Sequence, residues 1–178
     1  MKFWKNHKHS IVGAFSVLVA GILAISISGC QLTEAQMKVI ADNAGLVAAV
    51  TWIGVDNPIP EVKQQVSGIC TVIKDKAGLV KEGKTYMEVL NPLLEQYIED
   101  NVEARYRPLC KVGSGQLLSG IDLMFALNPE WLKQQDLATS LVVSFCNGAV
   151  RGLSLTADHP VMKAALSNNA VRMKQFKK

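Results

Sequence analysis

Residues 137–150 read Leu137-Ala138-Thr139-Ser140-Leu141-Val142-Val143-Ser144-Phe145-Cys146-Asn147-Gly148-Ala149-Val150. Leu137, Leu141, Val142, Phe145, Ala149 and Val150 return every three or four positions, the repeat of an α-helix, over an arc too wide for a single contact surface. A helix apolar on more than one side belongs at the centre of a core, and the pattern predicts one over about 130–152. The same period recurs on either side of it. Thr33 and Gln36 form a capping box ahead of Met37, Ile40, Ala44, Val47 and Val50, which predicts a helix over 34–54 that stops at Asp56-Asn57-Pro58-Ile59-Pro60. Val62, Val66, Ile69, Ile73, Ala77 and Val80 line one face of a second helix over 60–80, lysine-rich on its other side and ended by Gly83. Thr85 and Glu88 cap a third, with Leu94, Ile98 and Val102 on its buried side; Asn91-Pro92 either kinks it or restarts it.

After Arg107-Pro108 and Gly113-Ser114-Gly115, a short fourth helix is expected with Ser114 as its cap and Leu117, Leu118, Ile121, Leu123, Met124 and Leu127 as its apolar positions. Asn128-Pro129 then caps the central helix, and a last one runs from Pro160 to about 175 through Met162, Leu166 and Met173. The chain has no long alternating run, internal repeat or low-complexity segment. These features predict an all-α fold, a compact single-domain bundle of five to six helices.

The first thirty residues follow a different pattern. Lys2, Lys5 and Lys8 precede an apolar run from Ile11 to Ile27, and Ile27-Ser28-Gly29-Cys30 closes it with small residues before a cysteine and polar Gln31 directly after. The segment resembles the signal of bacterial or phage-encoded envelope lipoproteins. By that resemblance Ile27, Ser28 and Gly29 are the lipobox, residues 1–29 are a cleaved signal peptide, and residues 30–178 are a helical envelope domain. Cys30 would carry the diacylglyceryl group, with palmitate-type chains, as the first residue of the mature protein. Two or three acyl chains, at about 0.8 kcal/mol per buried methylene, hold a protein on a membrane essentially for good. In lipoproteins of Gram-negative cells an Asp after the cysteine marks inner-membrane retention, so Gln31 implies the outer membrane, facing the periplasm. The residues also allow an uncleaved anchor, because Ser10 to Gly29 is just long enough to span a bilayer. On either reading the remainder lies outside the cytoplasm.

Removing the three signal lysines leaves 16 Lys+Arg against 15 Asp+Glu, so the mature domain is near neutral at +1. The basic balance of the whole chain therefore belongs largely to the signal and offers no electrostatic footprint for nucleic acid. The 149 residues from Cys30 onward suit one domain with one core. The basic end, with Arg172, Lys174, Lys177 and Lys178, could touch anionic head groups but reads more simply as a frayed terminus.

Gly78-Leu79-Val80-Lys81-Glu82-Gly83-Lys84-Thr85 matches the phosphate-cradling pattern G-x-x-x-x-G-K-[ST] letter for letter. Such a loop works only when a buried strand runs into the first glycine, so that backbone amides converge on the phosphate. Here Lys74-Asp75-Lys76-Ala77, a polar helical turn, precedes it, and the chain lacks the βαβ alternation of nucleotide-binding folds. The segment is therefore expected to be a helix end, a lysine-rich turn and a Thr85 cap, with no nucleotide bound. His159 is the single histidine left after cleavage, too few for a histidine-based zinc site, and precedes Pro160 as a helix-start residue. Glu95, Glu99 and Glu103 fall at i, i+4, i+8, a stripe expected to be solvated. With Cys30 lipidated, Cys70, Cys110 and Cys146 allow one disulfide among three pairs. A hairpin turning at Asn128 would put Cys110 and Cys146, each 18 residues from it, level with one another, so that pair is expected to be bridged; Cys70 reads as a core residue.

No metal or cofactor is expected from this set. The favoured function is a non-enzymatic, membrane-anchored lipoprotein whose helical domain binds another envelope protein, as pilotins and exclusion lipoproteins of similar size and address do. The alternative is a small envelope hydrolase or transferase using the Glu95–Glu103 stripe or His159 as its acid/base.

Overall fold

The computed structural model describes residues 11, 13–22, 32–156 and 158–163. Among these the protein is all-helical, with no strand. The apolar segment Gly13–Ile22 is a helix, α1. It is followed by α2 (Glu34–Asp56), α3 (Pro60–Lys76) with a 3-10 turn at Ala77–Leu79, α4 (Tyr86–Asn101), α5 (Arg107–Leu127), the one-turn α6 (Pro129–Leu132) and α7 (Gln135–Ser154). Helical backbone resumes at Pro160–Lys163. The helices outnumber the five to six expected, because Gly13–Ile22 is one and because the stretch read as a single central helix is broken at Lys133-Gln134 into α6 and α7.

The local signals operate as their chemistry requires. Thr33 accepts from the Gln36 amide while Gln36 accepts from the Thr33 amide, and Thr85 and Glu88 do the same for α4. Asn57 ends α2 in the left-handed region, φ 44°, before Pro58. α4 is one helix with Pro92 inside it, so the chain does not restart at Asn91: Leu90, Leu94 and Ile98 are all buried across the proline.

α7 is the centre of the molecule. Leu137, Leu141, Val142, Phe145, Cys146, Ala149 and Leu153 are all buried, and α2 and α3 both pack on it. The α2–α7 crossing is backbone against backbone. A methyl added at Gly148 would run into the Asp42 carbonyl, one at Gly45 into the Phe145 carbonyl, and one at Gly152 would meet Ala49 Cβ at 2.8 Å. The Gly148-x-x-x-Gly152 spacing puts both glycines on one face, the arrangement that lets two helices touch main chain to main chain. Arg151 reaches over this crossing to Asp42, 2.6 Å away. By length and composition α2 could cross a membrane, but the same features suit a core helix, and nine of its residues are buried here.

α4 packs on α5, forming a second pair joined to the first through α3. α5 begins at Arg107 with Pro108 in its first turn, so Gly113-Ser114-Gly115 lies in mid-helix rather than ahead of it. Ser114 caps nothing; it is fully buried and donates to the Lys111 carbonyl at 3.1 Å. The expected Cys110–Cys146 bridge is also corrected. Both are free, buried thiols. The hairpin behind that expectation does not form, because α5 lies along α4 while α7 turns away at α6 to pack on α2 and α3. The neighbour of Cys146 is Cys70 on α3.

Candidate functional site

The Gly78–Thr85 segment borders a hollow of about 270 Å³ whose lining includes Val80, Lys81, Lys84, Tyr86, Lys133 and Gln135. Its backbone does not make a phosphate cradle. The segment opens inside the 3-10 turn that follows a helix, with no strand ahead of it, and the Val80 amide donates to the Ala77 carbonyl at 3.2 Å. Lys84 donates to the Lys81 carbonyl at 3.0 Å, Thr85 to Glu88 Oε2 at 3.0 Å, and Glu88 to Thr85 Oγ1 at 3.1 Å. Tyr86 and Met87 donate to the two oxygens of Asp122, at 2.7 and 3.0 Å. A carboxylate from α5 thus sits where an anion would dock at the start of α4. Burial raises the Asp122 carboxyl above its ordinary range, against the two amides that pull it down.

The glutamate stripe does not assemble an acid/base pair. α4 ends at Asn101, so Glu103 lies beyond it, and each carboxylate has its own partner. Glu95 accepts from Asn91 at 2.8 Å, Glu99 pairs with Lys111 at 2.6 Å and Arg107 at 3.0 Å, and Glu103 pairs with Arg105 at 2.7 Å. The Lys111 ammonium, foremost, holds the Glu99 carboxyl below its usual range, as suits a solvated ion pair rather than a proton donor. His159 is exposed and accepts from the Val161 amide through Nδ1 at 3.3 Å, so it sits at a helix start.

The thiols are sequestered. Burial pushes Cys110 up to about 12, and the bond with Cys70, together with burial, raises Cys146 well above its ordinary value. Neither is poised as a nucleophile, which requires the thiolate. Among the described residues no cluster of three or more His, Cys, Asp or Glu is placed to hold a metal ion. Cys30 and the lipobox residues Ile27, Ser28 and Gly29 lie outside the described residues, as do residues 164–175 of the expected last helix.

The most distinctive surface is the seat of α1. Ile11, Ala14, Phe15, Leu18 and Ile22 are buried in a groove walled by α2 and α5. Gly13 lies against Trp52 and Asp56; a methyl added at Gly21 would come within 3.2 Å of Ala48 Cβ and 3.3 Å of the Phe145 ring, which forms the floor. On the other wall the Phe15 ring occupies the space a side chain at Gly113 would fill, and Val19 comes within 3.1 Å of a methyl at Gly120. Residue numbers rise together along α1 and α5 and in opposite senses along α1 and α2. The small residues Ala44, Ala48, Gly113 and Gly120 make the walls, and apolar side chains of α1 fill the space between them.

No family model, no curated protein and no solved structure matches the chain. Sequence reading missed three features: the seat of α1, the α2–α7 crossing and the Cys70–Cys146 neighbourhood. The Gly148-x-x-x-Gly152 spacing was a usable signal for the second. The other two depend on which helices become neighbours, and helical periodicity is silent on that.

Proposed function

We propose that the protein is an envelope lipoprotein, anchored through acyl chains on Cys30 in an outer membrane and facing the periplasm, whose helical domain acts by binding another envelope protein. The observation that carries this reading is the order of features at the N-terminus: a lysine-bearing start, an apolar run, and Ile27-Ser28-Gly29 directly before Cys30. Supporting the non-enzymatic half, the glutamates of the stripe are committed one by one to separate partners, and the Cys110 and Cys146 thiols are held protonated. At the end of the nucleotide-like motif the Thr85 amide is spent on a capping box, and the Tyr86 and Met87 amides that follow it are spent on Asp122. A permanently anchored domain of this kind has binding left as its chemistry.

Metabolic labelling with radioactive palmitate tests the anchor. The wild type is expected to incorporate label, and Cys30→Ser is expected to lose it and to accumulate as a slower-migrating precursor. Unlabelled wild type, or normal processing of the variant, would return the N-terminus to an ordinary signal peptide or a membrane-spanning anchor.

A further inference from the structure

Signal cleavage before Cys30 would remove α1, and the groove it fills would remain. We infer that this groove, between α2 and α5 with Phe145 as its floor, is the docking site of the mature protein, and that its occupant is an apolar, uncharged α-helix of a partner envelope protein. The inference rests on the lipoprotein reading above and names the partner's chemistry. Three observations carry it. First, α1 itself shows what the groove accepts: a helix whose buried positions are Ile11, Ala14, Phe15, Leu18 and Ile22. Second, α5 carries glycine at two positions where α1 comes close, Gly113 under Phe15 and Gly120 under Val19. Glycine inside a helix is less favourable than alanine, so a helix facing only water would do better with side chains there. Third, the opposite wall repeats every four residues through Ala44, Ala48, Trp52 and Asp56, the stagger of one helix lying along another.

These features also choose among occupants. A flat lipid surface cannot enter between two helices to reach Gly113. A second mature copy would have lost its own α1, the helix whose fit to the groove is seen. A partner helix with an aromatic ring over Gly113 and a small or β-branched residue over Gly120 reproduces the contacts of α1, the helix-in-groove mode of recognition.

The test uses the full-length gene product isolated from membranes of producing cells in lipid nanodiscs, with its N-terminal residue established by mass. The probe is a synthetic peptide of residues 10–23 carrying a photoreactive phenylalanine at position 15. Illumination is expected to attach it to α5 beside Gly113. Gly113→Leu and Gly120→Leu, which fill the groove, should each cut adduct yield roughly tenfold or more, a loss of about 1.4 kcal/mol or more in binding. Gly78→Leu, placed where nothing lies within 4 Å, should leave the yield unchanged. Because the groove is vacant in the mature protein, neither blocking variant should lower its Tm.

If a protein beginning at Cys30 gives no adduct, or gives one that Gly113→Leu and Gly120→Leu leave untouched, the groove inference falls while the lipoprotein reading stands. A dimer that Gly113→Leu dissociates would assign the groove to a second copy and overturn the partner helix. A protein that retains residues 11–22 would overturn the reading beneath both; α1 would then be a permanent core helix, and Gly113→Leu would lower the Tm by displacing Phe15.

Discussion

Asp122 shows how one side chain joins two helices. Both its oxygens accept from the first amides of α4, so it does at a distance of 36 residues what Thr85 does locally. Asp122→Ala strands those two amides in a half-buried place. The expected loss is about 1–3 kcal/mol of unfolding free energy, readable from urea denaturation, and an unchanged midpoint would mean water serves those amides as well. A second prediction concerns alkali. Burial raises Tyr86 from 10.0 to about 12, with Thr139 and Asp122 as lesser influences, and raises Cys110 from 9.0 to about 12. The folded chain keeps these protons longer than the unfolded chain, so their contribution to stability is complete below about pH 9 and is lost as pH climbs towards 12. The denaturation midpoint should therefore fall over that window. Tyr86→Phe should flatten part of the slope, and a slope indifferent to Tyr86→Phe would place the titrating groups elsewhere.

At the scale of elements, what the sequence announced and what it hid divide along one physical line. The capping boxes at Thr33 and Thr85 were readable because a cap is made within four residues. The start of α5 was not, since Gly113-Ser114-Gly115 breaks a helix by propensity, and only the neighbouring Phe15 ring shows why glycine is tolerated in its middle. The Cys110–Cys146 pairing failed for a similar reason: equal spacing about Asn128 was legible, but the turn of the chain at α6, which sends α7 to α2 and α3, was not. The strongest element-level prediction lies at the α2–α7 crossing. Gly148→Ala improves helix propensity yet drives a methyl into the Asp42 carbonyl. Destabilisation of about 1–3 kcal/mol or more is expected from the forced separation of the two helices. Gly78→Ala, in open space, should be nearly neutral by the same thermal melt. Equal Tm values for the two variants would show that α2 and α7 are not in backbone contact.

On the scale of the whole molecule, two helix pairs, α2 with α7 and α4 with α5, are linked by α3 and share a seam that α1 fills. The segment with the composition of a signal is thus also the segment whose apolar face the domain buries. That double character follows from physics, because an apolar run selected for a membrane is equally suited to any groove of small residues. Its fate decides what the domain is. With α1 removed at Cys30, the protein is a lipid-anchored receptor for a helix; with α1 retained, it is a closed bundle with its seam filled. The most direct measurement is the mass of the N-terminal peptide of the protein recovered from membranes. A peptide that begins at Cys30 and carries diacylglyceryl on its thiol is the expected result. A peptide that still includes residues 1–29, with an unmodified Cys30, would contradict it.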